Sequence, residues 1–360
     1  MTKIRWKKIL ETYSVAAGAG VIFHLLNLPI PWILGPMTAM ILWKTFTHRE
    51  MVAPRPIYNG GLMLLGIFFG MSFTAATFTT VFPYIIPFIL TTVLLLTVSV
   101  LNAILVTRFI KIDPITSVFG SIPGGLSEMV ASCESLHANT AMVTIFQTVR
   151  LLTVVFTVPF LVVHMFTGNN VSPLLNATEN LSTPTFFSYA WFLIPIAVGW
   201  LLRNRLPAAY VIGPLAATAL LKVIGIEIPS LSQSLLIFAQ ISVGMSMGNK
   251  ISIQDLKLGG KYCGIYFLLS IIIIATAFGL GYLFYLYTNL SLSTAVLSLA
   301  PGGLVEMVLT AKSVGADPAV VSSLQFIRLL FIIIFVPSIL KWGFTKQKPT
   351  NLQTSREHSL

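Results

Sequence analysis

Charge is what this chain has least of. Asp, Glu, Lys and Arg together make up 9% of its 360 residues, against roughly 25% in an average soluble domain. A chain so poor in charge could not clothe a water-facing surface. Hydrophobic residues reach 56% and the mean hydropathy is +0.88. These numbers exclude soluble globular, disordered, fibrous and disulfide-scaffold proteins and predict a polytopic membrane protein. Acidic residues are scarcer still, 11 against 22 Lys and Arg, for a formal net charge of +11. The excess lies between apolar segments, where it reads as cytoplasmic anchoring and not as a nucleic-acid footprint.

Cysteine is almost missing too: Cys133 and Cys263 imply no disulfide framework. The five histidines, His24, His48, His137, His164 and His358, have no metal-ligand spacing, and neither HExxH nor CxxC occurs. There is no P-loop and no G-x-S-x-G nucleophile elbow. The chain is therefore expected not to be an enzyme and to hold no resident cofactor or metal. No segment between the apolar runs is long enough for a soluble domain, so no nucleic-acid partner is expected.

What is present is a series of apolar segments. They fall at 13–28, 32–46, 57–76, 84–107, 114–133 and 139–164, then at 187–202, 209–225, 231–249, 262–287, 293–312 and 317–342. The basic N-terminus reads as the cytoplasmic flank of an uncleaved first span. The linker 165–186 has no Lys or Arg and is rich in Asn, Ser, Thr and Pro, so it is expected outside. Parity then requires 114–133 and 293–312 to enter and leave on one side. That topology puts 18 of the 22 basic residues inside, with Lys222 and Lys312 outside and Arg150 and Arg328 within spans.

The two halves repeat. Ile-Pro-Gly-Gly-Leu-Ser-Glu-Met at 122–129 matches Ala-Pro-Gly-Gly-Leu-Val-Glu-Met at 300–307, an offset of 178 residues. Carried without gaps, 121–159 and 299–337 share 17 of 39 residues. The same offset relates Leu34-Gly35-Pro36 to Ile212-Gly213-Pro214. Five crossings per unit, an odd number, would set the units upside down relative to each other, the architecture of many secondary transporters. The expected fold is all-α: two inverted repeats of five transmembrane helices, each with one re-entrant Pro-Gly-Gly segment. The expected division is repeat 1 at 10–164, the external linker, repeat 2 at 187–343 and a cytoplasmic tail at 344–360.

Four groups could carry chemistry. Pro123-Gly124-Gly125 and Pro301-Gly302-Gly303 should break their helices, and in a membrane a break must be buried or line a cavity. The exposed backbone groups could hold a solute, or the small residues could serve helix packing. Glu128 and Glu306 sit deepest in apolar sequence of all the acids, where an ionisable group marks function by default. They could carry a coupling proton or Na⁺, or pair with arginine. Gln147 with Arg150, and Gln325 with Arg328, share helix faces three residues apart. Each arginine lies well inside its span and must meet a carboxylate, a carbonyl or an anion. Glu128 and Glu306 are the expected partners. Asn139 and Asp317-Pro318 read as helix starts. Leu34-Gly35-Pro36 and its counterpart read as breaks or kinks, serving packing or a cavity, and Pro159 and Pro337 as kinks.

The doubled Pro-Gly-Gly-Leu-x-Glu-Met, the Gly-Pro pair and the Gln-x-x-Arg helices resemble the AbrB family of membrane proteins, over about residues 10–343. This family shares its name with a small DNA-binding regulator that the chain does not resemble. The resemblance implies a transporter-like membrane protein linked to regulation of gene expression. Family members also carry an ammonia monooxygenase label, for which no copper or iron ligand set is visible here. The expected function is secondary-active transport of a small anionic solute coupled to H⁺ or Na⁺. The alternative is a membrane sensor that influences gene expression without transport. The expected location is the cell membrane, with both termini cytoplasmic, a solute or ion and the lipid bilayer as partners, and a homodimer left open.

Overall fold

The structure is a computed structural model that describes residues 2–47, 52–124, 129–130, 133–134, 136, 138–166, 186–206, 208–226 and 228–345. Gly125 and Glu128 of the first motif, most of the 165–186 linker and the tail from 346 lie outside the described residues. Among the described residues every regular element is helical, and the protein is a membrane-type protein. Four helical stretches are long and apolar enough to cross a bilayer: Ala75–Thr107, Thr140–Phe166, Lys261–Tyr287 and Pro318–Leu340.

The first repeat opens with α1 (Thr2–Leu25), α2 (Pro31–Thr47) and α3 (Arg55–Gly70). Then come α4 (Ala75–Val81), α5 (Ile85–Thr107), α6 (Pro114–Ser121) and α7 (Thr140–Phe166). The second half supplies α8 (Leu193–Leu201), α9 (Ala209–Val223), α10 (Gln233–Lys250), α11 (Ile253–Gly259) and α12 (Lys261–Tyr287). It ends with α13 (Leu292–Leu299), α14 (Leu304–Ser313) and α15 (Pro318–Thr345).

These helices sort into two bundles, and each bundle draws on both sequence repeats. In the first, α2 packs on α1 and α10, and α3 packs on α9 and α10, with α8 against α9. In the second, α12 packs on α7, α13 and α5, α6 lies between α5 and α7, and α14 and α13 lie against α15. Helix α15 touches α3 where the bundles meet. The largest apolar core runs through that junction. It joins Ile33, Leu65, Phe69 and Val211 of the first bundle to Val154, Val155, Val158 and Met307 of the second.

The first bundle is held by close backbone approach. A Cβ on Gly66 or Gly70 of α3 would collide with the carbonyl of Val211 or of Leu215 on α9. Gly244 and Gly248 of α10 stand against the carbonyls of Ile33 and Met37 on α2 in the same way. In lipid, where apolar burial does not drive helices together, such approach supplies the packing energy. Gly35 and Gly213 belong to this pattern. Gly35 lies against the backbone of Ala19 and Gly20, and Gly213 against Gly199. Pro36 and Pro214 sit inside continuous α2 and α9. Of the expected break or kink at Leu34-Gly35-Pro36 and Ile212-Gly213-Pro214, the break is corrected, since both helices run through, and the glycine contacts favour the packing role over the cavity.

Candidate functional site

The two Pro-Gly-Gly motifs do interrupt their helices. Asp113 caps α6, its Oδ2 accepting from the Thr116 N–H at 3.0 Å. Ser291 caps α13, its Oγ accepting from the Thr294 N–H at 3.3 Å. Each helix runs two turns and stops where a proline follows. Ile122 takes φ −64°, ψ 130° and Ala300 φ −57°, ψ 132°. A residue preceding proline is pushed out of the α region by the pyrrolidine ring, so this stop is written locally in the sequence. A Cβ on Gly124 or Gly302 would press on the Met129 or Met307 side chain, which covers the break.

A stopped helix leaves carbonyls without donors, and burial makes that costly. The Gln-x-x-Arg pairs supply the donors. Gln147 Nε2 donates to the carbonyls of Phe119 (2.6 Å) and Ile122 (3.0 Å). Gln325 Nε2 donates to those of Leu297 (2.7 Å) and Ala300 (3.3 Å). Arg150 Nη2 donates to Gln147 Oε1 (2.7 Å) and the Gly124 carbonyl (3.3 Å). Arg328 Nη2 donates to Gln325 Oε1 and to the Gly302 carbonyl (3.0 Å), and its Nη1 to the carbonyls of Leu299 (3.2 Å) and Ala300 (2.6 Å). Most of these bonds recur at the 178-residue offset. So does a further pair: Thr116 Oγ1 accepts from the Asn139 N–H and Thr294 Oγ1 from the Asp317 N–H. Asn139 and Asp317 themselves cap α7 and α15.

The glutamines spend their amide donors on the breaks and so build the site. Neither arginine forms an ion pair with a carboxylate among the described residues, so the expected pairing with Glu306 is corrected, while Glu128 lies outside the described residues. Glu306, 3% exposed, instead turns its carboxylate back over the N-terminus of its own helix α14, where a Cβ on Gly303 would meet it. A carboxylate at that end is favoured by the helix dipole. From the other bundle, Tyr58 of α3 lies within electrostatic reach of Glu306. Lys250 of α10 stands over the Tyr58 ring at 5.0 Å.

The two breaks and the two arginines meet. They line one cavity of about 230 Å³, reached by Pro123, Gly124, Arg150, Pro301, Gly302, Gly303, Gln325 and Arg328. Its remaining wall is apolar, from Leu151, Val154 and Val155 of α7, Leu304 of α14, and Leu329, Ile332 and Ile333 of α15. No described lining residue is acidic. Of the candidate residues, Gln147 and Glu306 are not among those that line this cavity.

Several contributors escaped the reading of the sequence. Thr116 and Thr294 stand at the repeat offset, and extending the internal alignment toward the N-terminus would have found them. Tyr58 carried no signal, because it belongs to the other bundle and its proximity is purely tertiary. The apolar wall of α7 and α15 reads in sequence only as span.

A family model described as "Transition state regulatory protein AbrB" matches residues 8–343. One relative, from Bacillus subtilis (strain 168), bears the name "Uncharacterized protein YhjN" and is 28% identical over 352 residues, 92% of this chain and 91% of its own length. Another, from Escherichia coli (strain K12), bears the name "Putative regulator AbrB" and is 27% identical over 329 residues, 89% of this chain and 92% of its own. No solved structure matches. With the doubled motif, the matched span and a membrane-type helical architecture together, this chain belongs to the AbrB family of membrane proteins.

Proposed function

We propose that the chain is a secondary-active transporter of the cell membrane that moves a small anionic solute coupled to H⁺ or Na⁺. The observation that carries this reading is the cavity between the two helix breaks, which two buried arginines line and no described acid neutralises. A buried cation without a counter-charge costs several kcal/mol, and a solute anion would remove that cost on binding. At about 230 Å³ the cavity is below the roughly 300–1,000 Å³ of sites that take drug-sized ligands, which suits a small solute.

In this reading the repeats are inverted, ten helices cross, and the two Pro-Gly-Gly hairpins re-enter from opposite faces to meet at the cavity. Both termini are cytoplasmic, the 165–186 linker is external, and no resident cofactor or nucleic acid takes part. Glu306, with Glu128 as its sequence counterpart, takes the coupling ion. Tyr58 of the other bundle lies within electrostatic reach of Glu306, so a cation bound at Glu306 would alter that interaction between the bundles.

The bundle junction supports movement. Hydrogen bonds from side chains, where both partners are described, stay within one bundle or the other, and the shared core is mainly Val, Ile, Leu, Phe and Met. The junction also carries a cation–π contact, Lys312 of α14 over the Phe68 ring of α3 at 4.0 Å, and its dispersion contacts let one bundle rock past the other. A regulatory role, the word in the name of the Escherichia coli relative, would then follow indirectly from solute movement.

The test is flux of labelled small anions into proteoliposomes under an imposed H⁺ or Na⁺ gradient, with the Glu128→Gln/Glu306→Gln double variant alongside. Gradient-driven uptake that the double variant loses, at equal folding, is expected. Uptake that is unchanged in the double variant would remove the coupling assignment.

A further inference from the structure

The two arginines stand at equivalent repeat positions and yet are used differently. Arg328 is spent: its Nη1 and Nη2 together donate to three carbonyls and to Gln325 Oε1. Arg150 makes only the two Nη2 bonds, to Gly124 and Gln147. Its Nε and Nη1 are buried without a partner among the described residues, on a residue that is 7% exposed. It also has 26 residues of offset to its break, as Arg328 has, so the difference does not come from spacing. Instead Arg328 reaches Leu299 and Ala300 at the end of α13, whereas Arg150 makes no such bond to the end of α6.

An unsatisfied buried donor is rare in folded proteins and calls for an explanation, and an unsatisfied buried cation all the more so. Arg150 is one of the residues that line the cavity. The apolar part of the wall, Leu151, Val154, Val155, Leu329, Ile332 and Ile333, offers no hydrogen-bonding side chain. A fully hydrated inorganic oxyanion would have to give up its water to such a wall without regaining hydrogen bonds there. A carboxylate with a short hydrocarbon tail matches both ends, its charged head at the arginine and its tail against the branched side chains.

We propose that Arg150 is the ligand-contacting arginine of the cavity and takes a small aliphatic monocarboxylate, while Arg328 is a positioning residue that holds the second helix break. This assignment deepens the transport reading and rests on it for the direction of its biology, but ligand binding can be tested without flux.

The experiment measures binding of sodium acetate, butyrate, hexanoate, sulfate and chloride to the purified full-length protein in detergent, by calorimetry and by thermal shift. Wild type is compared with Arg150→Gln, Arg150→Lys, Arg328→Gln and Arg328→Lys. Affinity is expected to rise about fourfold per added methylene until the cavity is full, the ratio for burial of one CH₂. Sulfate and chloride are expected to bind at least tenfold more weakly than butyrate. Arg150→Gln should lose butyrate binding at least tenfold with an unchanged or higher melting temperature of the ligand-free protein, and Arg150→Lys should recover part of it. Arg328→Gln should lower the ligand-free melting temperature, and Arg328→Lys, if the glutamine variant does not fold, should lower it less.

Carboxylate affinity that ignores tail length, or that sulfate matches, would overturn the ligand class. So would the absence of binding by every salt. Equal loss of ligand-free stability in Arg150→Gln and Arg328→Gln would show an internal partner for Arg150 and overturn its role. Butyrate binding that depends on Arg150, without flux in proteoliposomes, would sustain this assignment and sink the transport reading instead.

Discussion

The two bundles solve the same problem, helix association in lipid, by opposite means. The first brings backbones together through Gly66, Gly70, Gly244 and Gly248. A hydrogen bond between side chains, Tyr13 to Ser242 at 2.9 Å, also spans α1 and α10 within it. The second puts its polar groups into holding two broken helices open: Gln147, Arg150, Gln325, Arg328, Thr116 and Thr294 all serve the ends of α6, α7, α13 and α15. A bundle packed on glycine has little freedom to rearrange, because the contacts are to backbone. A bundle with helix breaks exposes backbone and cations to a cavity. The comparison teaches which half is frame and which half is site.

The largest effect should come from breaking the frame. Gly70→Val places a branched side chain where a Cβ already meets the Leu215 carbonyl and the Thr218 Cβ at 2.6 Å. Overpacking against backbone that cannot yield should cost about 3 kcal/mol, read as a large fall in melting temperature in detergent. A variant that melts like wild type would show that the α3–α9 contact is loose and remove the contrast with the second bundle.

An intermediate effect is expected within the site bundle. Gln325→Leu leaves the carbonyls of Leu297 and Ala300 without that donor, and Gln147→Leu does the same at Phe119 and Ile122. Each should cost about 1–3 kcal/mol, with Gln147→Leu the costlier, because the Ala300 carbonyl keeps its bond from Arg328 Nη1 at 2.6 Å and Ile122 has no such bond from Arg150. A larger cost for Gln325→Leu would mean that Arg328 does not support the second break.

The smallest effect belongs to the polar contact between side chains of the frame. Tyr13→Phe removes the bond to Ser242, whose Oγ keeps its bond to the Phe238 carbonyl at 2.8 Å. A loss of about 1 kcal/mol or less is expected. A fall as large as that of Gly70→Val would move the weight of the frame from glycine packing to hydrogen bonding.

Much of the site was legible because its cause is local. Proline at 123 and 301 stops a helix wherever it stands, and the two-turn helices before it carry their caps in Asp113 and Ser291. The repeat sets Gln147 and Arg150 in register with Gln325 and Arg328, and the glutamines are used alike. The arginines are not, because the extra reach from Arg328 to Leu299 and Ala300 is a matter of packing. At Gly35-Pro36 and Gly213-Pro214 the sequence left packing and a cavity both open, and the fold favours packing. Proline inside a helix is tolerated when a neighbour makes close packing favourable, and the neighbours, Ala19 and Gly199, are known only from the fold.

The sequence by itself determined the membrane class, the all-helical fold, the duplication and the two interruptions. Those follow from composition and from short-range sterics that no partner can change. Only the tertiary structure decided that each bundle is assembled from both repeats, that Glu306 folds over its own helix and not onto an arginine, and that Arg150, at the cavity, keeps two buried donors unpaired among the described residues. Those depend on which surfaces meet at distances of a few ångströms, where one side chain reaching a carbonyl or missing it separates a structural clamp from an open cation.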